Sequence, residues 1–172
     1  MNTDNIILIG MPGVGKSTIG VILAKVLGKQ FMDSDLVIQQ EYKARLSDLI
    51  STYGSDGFLA IENRVNADLF PTDTIIATGG SAVYGDEAMR HFRDIGTVVY
   101  LRIGYDDLVS RLGDLTKRGV VHKEGQTLRD LYDERCALYE KYADLIIDEA
   151  PGYMNIEKTV EDIVEAIDRL SA

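Results

Sequence analysis

Residues 6–20 read IILIGMPGVGKSTIG, and the residue types in that stretch suit the grip of a phosphate chain. Gly10, Gly15, Lys16 and Ser17 fit the spacing G-x-x-x-x-G-K-[ST]. Glycines let backbone N–H groups converge on one point, Lys16 adds a mobile ammonium, and Ser17 offers a hydroxyl to magnesium. The flanks agree with that chemistry. Ile6–Ile9 reads as a buried parallel strand, and Ile19, Ile22, Leu23, Val26 and Leu27 recur at helical spacing before Gly28. The stretch predicts binding of a nucleoside triphosphate.

Further on, FMDSDL at 31–36 sets Asp33 and Asp35 two apart, so in extended backbone both carboxylates face the same way. One would sit near the metal and the other would take a proton from an attacking hydroxyl. The competing reading is helix capping by Asp35. At 77–83, ATGGSAV offers bare backbone that lets a compact substrate approach closely, or else a tight turn. It lacks the acidic pair that a motor ATPase would place there, and no Asn-Lys-x-Asp sequence reads guanine.

Segment 111–129 carries five basic and two acidic residues, with glycines at 113, 119 and 125. It reads as a lid over transferring phosphate, with Lys117 or Arg118 as charge stabiliser, or as a solvated charged loop. His122 and His91, each alone, are assigned no role. Arg135 interrupts an apolar stripe of Leu128, Leu131, Tyr132, Tyr139 and Tyr142. An inward guanidinium needs an anion, and its planar fork suits a carboxylate. That anion is either a ligand or Glu62, which falls among Phe58, Ile61, Val65 and Leu69 on its own helix.

The elements that must position these residues alternate. Strands are expected at Ile6–Ile9, Gln30–Met32, Thr74–Ala77, Thr97–Leu101 and Leu145–Asp148. Helices are expected near 17–27, 35–42, 46–53, 57–69, 86–93, 105–112, 127–143 and 156–170. Such alternation predicts an α/β fold, a parallel sheet with helices on both faces and ligands at the carboxyl ends of the strands. The 172 residues suit one domain. A net charge of −10 argues against nucleic acid as a partner. One cysteine, Cys136, excludes an internal disulfide and a cysteine metal cluster. No apolar run approaches a membrane span and no leader is evident, so a cytoplasmic protein is expected.

The ordered set of the loop, FMDSD at 31–35, TGGSAV at 78–83, KRG at 117–119 and ERCALYEKYA at 134–143 resembles the shikimate kinase family over nearly the full chain. The resemblance implies a three-layer α/β/α domain of P-loop kinase type over 1–172, with a five-stranded parallel sheet. Substrate-binding helices would span about 34–62 and a mobile lid about 112–126. ATP and Mg2+ would be the cofactors, and shikimate or a related hydroxy acid the small-molecule partner of a monomer. Gly13, Val14, Gly15, Lys16, Ser17 and Thr18 would hold the phosphates, with Lys16 on the β and γ groups. Ser17 would ligate magnesium with support from Asp33. Asp35 would take the substrate hydroxyl, Gly79, Gly80 and Ser81 would line the pocket, and Arg135 would hold the substrate carboxylate. Arg118 would reach the transferring phosphate, and Arg111 would stack on adenine.

Six positions depart from the family pattern. Leu59 stands where a second carboxylate-binding arginine is usual, and Ser81 where the third glycine of a triplet is usual. Gly119 and Ala137 replace prolines, Ser55 replaces a glutamate, and APGY at 150–153 lacks an adenine-side arginine. Arg45, Arg64 and Lys43 are candidates for the missing cation. Leu59 and Ser81 motivate a second reading, a kinase of the same fold acting on another hydroxy acid or polyol such as gluconate. A third reading is a nucleotide-binding protein without turnover.

Overall fold

The computed structural model describes residues 4–112, 120–152 and 154–172. Its frame is a sheet of five strands: β1 (Asn5–Ile9), β2 (Gln30–Asp33), β3 (Thr74–Ala77), β4 (Gly96–Arg102) and β5 (Leu145–Asp148). They lie in the order β2-β3-β1-β4-β5 and every neighbouring pair is parallel. Ile6 sits between Ile75 and Thr97, and Leu8 between Ala77 and Val99. All five residues of β1 are buried, as a strand covered on both faces requires, so its sequence runs apolar without alternation.

Buried Asn5 fixes the lower end of this register. Its amide Nδ2 donates to the carbonyls of Pro71 (2.7 Å) and Ile95 (3.1 Å), and its Oδ1 accepts from the Thr74 N–H (3.0 Å). Chain order reverses on either side of β1, so the crevice above its carboxyl end is the expected ligand site.

Seven α-helices are described: α1 (Lys16–Leu27), α2 (Ser34–Tyr42), α3 (Leu46–Ala67), α4 (Asp86–Ile95), α5 (Tyr105–Leu112), α6 (Leu128–Tyr142) and α7 (Ile156–Ser171). A 3₁₀ turn covers Ala82–Tyr84. Helices α1 and α7 pack together, α1 over β1 to β3 and α7 on β5. Helices α3 and α4 pack on one another and on the 3₁₀ turn, while α4 and α6 reach β4. The sheet is therefore the middle layer of three.

The helices expected at 46–53 and 57–69 are the two helical segments of α3, which meet at a kink at Gly54, where φ 74° and ψ 174° lie in a region open to glycine alone. Two cores result. The larger wraps the sheet, and a smaller one joins Ile38, Leu49, Phe58 and Val65 of α2 and α3 to Val121. That smaller core places α3 beside the upper end of the sheet. Among the described residues no helix is long and apolar enough to cross a membrane.

Candidate active site

The loop between β1 and α1 turns on Gly10, Gly13 and Gly15, whose φ values of 148°, 85° and 97° belong to glycine. A Cβ on Gly10 would stand 2.7 Å from the Leu101 carbonyl, so the loop lies close against β4. Lys16 folds back along this curve and its Nζ donates to the carbonyls of Gly10 (2.7 Å) and Met11 (2.9 Å). Burial lowers the Lys16 ammonium to about 8, against the opposing pull of Asp35. The ammonium is held, largely desolvated, where a bound anion would favour its charged form further. Met154 lies across the loop, its Sδ 2.9 Å from where a Gly15 Cβ would be.

Asp33 is the last residue of β2 and the N-cap of α2. Its Oδ1 accepts from the N–H groups of Asp35 (3.0 Å) and Leu36 (3.3 Å), while its Oδ2 accepts from the Ser17 hydroxyl (2.9 Å). Capping thus falls to Asp33 and not to Asp35, because the strand runs one residue longer than expected and Asp35 sits in the first helical turn. Its side chain is thereby freed for the cavity. Burial, reinforced by the Asp33 charge, raises the Asp35 carboxyl to about 6, against the pull of Lys16. Its Oδ1 has no hydrogen-bond partner among the described residues.

Gly79 and Gly80 are where the chain could carry no side chain. A Cβ on Gly79 would stand 2.6 Å from Asp35 Oδ1 and 2.8 Å from Glu62 Oε2. One on Gly80 would meet Pro12 Cδ at 2.6 Å and Arg135 Nη1 at 3.0 Å. The Tyr139 hydroxyl donates to the Gly80 carbonyl at 2.5 Å and pins the turn. Of the two readings of TGG, close approach of other groups to the backbone is the one the geometry supports.

Arg135 is 1% exposed, donates through Nη2 to the Val121 carbonyl (2.6 Å), and lies 5.4 Å from the centre of the Tyr84 ring. The internal pair with Glu62 is not formed: Glu62, also 1% exposed, accepts from the Ser81 hydroxyl at 2.6 Å instead. Burial raises the Glu62 carboxyl to about 7, although the Ser81 bond pulls the other way. Glu62 Oε2 and Arg135 Nε are both without a hydrogen-bond partner among the described residues.

Two cavities meet here. One, of about 300 Å³, is lined by Gly13, Gly15, Lys16, Ser17, Thr18 and Thr78. The other, of about 90 Å³, is lined by Phe58, Glu62, Ser81, Val120, Val121 and Arg135. Pro12, Asp35, Gly79 and Gly80 belong to both. A phosphate chamber and a small chamber with one guanidinium therefore share a wall that carries an unpartnered carboxylate.

The remaining expectations separate. Arg111, at the end of α5, pairs with Glu149 at 2.8 Å. Arg118 and Lys117 lie outside the described residues, as do all of 113–119 within the segment 112–126 assigned to a lid. Arg64 is engaged at the surface with Glu41, Tyr42 and Asp68, Arg45 is the N-cap of α3, and Lys43 ends α2. None of the three lines the small chamber. Leu59 faces an adjoining pocket of about 100 Å³ with His122, Lys123 and Glu134. Sequence reasoning missed the roles of Pro12, Val120, Val121 and Tyr139, which no spacing rule connects to the loop.

Comparisons with known proteins agree on one family. The sequence model described as "Shikimate kinase" matches residues 12–168. A shikimate kinase of Pseudomonas paraeruginosa is 38% identical over 162 residues, 91% of this chain and 94% of that protein. One of Thermodesulfovibrio yellowstonii is 35% identical over 170 residues, 97% and 96% of the two chains. Among solved structures, shikimate kinase from Acinetobacter baumannii in complex with shikimate superposes with a TM-score of 0.85 at 30% identity, covering 95% and 92%. A gluconokinase of Sinorhizobium meliloti reaches a TM-score of 0.57 at 16% identity over 98% and 93%, which shows a shared fold alone. The phosphate loop, the two-chamber site and these relatives lead to one conclusion: the chain belongs to the shikimate kinase family.

Proposed function

We propose that the chain transfers the γ-phosphate of ATP to the 3-hydroxyl of shikimate, a step of aromatic amino-acid synthesis, and that the residues just described carry it. The observation behind this reading is the shared wall: Asp35 stands between the phosphate chamber and the chamber holding Arg135. The acceptor hydroxyl attacks the γ-phosphorus, the bond to the bridging oxygen breaks, and its electron pair leaves with ADP. The proton of the attacking hydroxyl passes to Asp35 Oδ1, which the protein leaves without another partner.

Lys16 exchanges its two loop carbonyls for phosphate oxygens, and the amides of Gly13 to Thr18 orient the chain. Ser17 and Asp33, already 2.9 Å apart, would hold Mg2+, which neutralises developing phosphate charge. Arg135 binds the acceptor carboxylate, and Arg111 and Arg118 are assigned to adenine and to the transferring phosphate. In this reading 1–172 acts as one kinase domain, with α2 and the first part of α3 (34–62) around the acceptor and 112–126 as a closing lid. We place it in the cytoplasm as a monomer.

A coupled assay of ADP release tests the reading. Shikimate is expected to be the efficient acceptor and gluconate a poor one; no turnover with shikimate at millimolar concentration would overturn it. Arg135→Lys is expected to raise KM for shikimate by roughly 10–100-fold, because an ammonium cannot form the bidentate pair, and to leave KM for ATP nearly unchanged. Equal changes in both constants would make Arg135 a structural residue.

A further inference from the structure

The small chamber contains a second carboxylate that proton transfer does not use. Glu62 is buried, is joined to no cation by an ion pair among the described residues, and receives one hydrogen bond, from Ser81 to Oε1. Its other oxygen points to the spot above Gly79 that Asp35 Oδ1 also faces. A buried carboxylate oxygen without a donor is costly, so its retention calls for a donor from outside the chain. A sugar-like acceptor has such donors. Hydroxyls on neighbouring carbons can bridge two carboxylate oxygens that converge on one point.

Resting on the shikimate reading, we propose that Ser81 is a positioning residue: its hydroxyl holds Glu62 turned so that Oε2 reads a second acceptor hydroxyl, next to the one Asp35 takes. Glycine at 81 would remove the one hydrogen bond that Glu62 receives. The serine fixes a side chain with three rotatable bonds and so reduces the cost of ordering it when the acceptor binds. Specificity for a vicinal diol then comes from a pair of carboxylates, and Arg135 supplies the contact to the acid end of the molecule.

The test compares shikimate with an analogue lacking the 4-hydroxyl, in the wild type, Ser81→Ala and Glu62→Gln, all checked for folding by thermal unfolding. With shikimate, both variants are expected to raise KM about tenfold with kcat within about twofold, the signature of an interaction equal in ground and transition states. With the analogue, the wild type shows about the same tenfold loss and either substitution adds less than about twofold, because the contact is already gone. Equal penalties on both substrates, or an unchanged KM for shikimate in both variants, would overturn the proposal. If Ser81→Ala fails to fold, Glu62→Gln alone carries the comparison. Absence of wild-type turnover with shikimate would overturn the underlying reading and this inference with it, whereas turnover with additive losses removes this inference only.

Discussion

Two buried titrating groups set the pH range of the site. Asp35 must be ionised to accept a proton, and burial raises its carboxyl to about 6. Lys16 must be protonated to hold phosphate, and burial lowers its ammonium to about 8. The profile of kcat/KM is therefore expected to be bell-shaped, falling as pH drops through about 6 to 7 and again as it rises through about 8. The acid limb belongs jointly to Asp35 and Glu62, which repel one another across Gly79. In the ternary complex bound nucleotide supplies anionic oxygens to Lys16, so the alkaline limb in kcat is expected at higher pH than in kcat/KM. A flat profile between pH 5.5 and 9 would contradict both assignments. Sequence singled out Lys16 and Ser17 by the spacing of the glycine loop, Asp33 and Asp35 by their place at a strand end, and Arg135 by its charge in an apolar stripe, and the fold brings these residues to neighbouring walls. It could not show that Glu62 bonds Ser81 and not Arg135. That choice depends on how α3 and the turn after β3 meet, and no local pattern encodes it.

The elements divide the work unevenly. β1, α1 and the loop between them are legible as sequence because strand, glycine turn and helix follow one another without a gap. α3 is legible too, since the apolar periodicity breaks near Gly54, where the backbone kinks between two helical segments. The bend sets the part bearing Leu49 against the part bearing Phe58 and Glu62, and so aims the acceptor wall. No atom lies within 4 Å of a Cβ built on Gly54, so substitution meets no clash and the cost is conformational alone. Gly54→Ala is expected to destabilise the fold by roughly 1–3 kcal/mol, measured by urea unfolding. It should also raise KM for shikimate more than KM for ATP, because the phosphate loop does not touch the bend. Unchanged stability would mean that alanine adopts this backbone or that α3 straightens without penalty.

At the scale of the molecule, the sheet order and the three-layer plan follow from the alternation of short apolar strands with helices. The smaller core does not, because Val121 joins it from a segment that reads as a charged loop. The chain carries a net charge of −10, while among the described residues Lys16 and Arg135 are the cations buried at the two chambers. Binding therefore couples strongly to folding: magnesium–ADP at a hundred times its Kd should stabilise the chain by about 2.7 kcal/mol. The corresponding rise in Tm is roughly 5–11 °C for a chain of this size, and a shift near zero would refute the nucleotide assignment.

The partition between the chambers consists of Pro12, Asp35 and two glycines, and it borders both chambers at once. A mutation at any of those four positions is expected to injure donor and acceptor binding together. Ser81 in the small chamber, with Leu59 and Lys123 in the pocket adjoining it, forms a rim that does not line the phosphate chamber. A lineage can redecorate that rim, trading an arginine for a leucine or a glycine for a serine, while the chemistry behind it stays frozen.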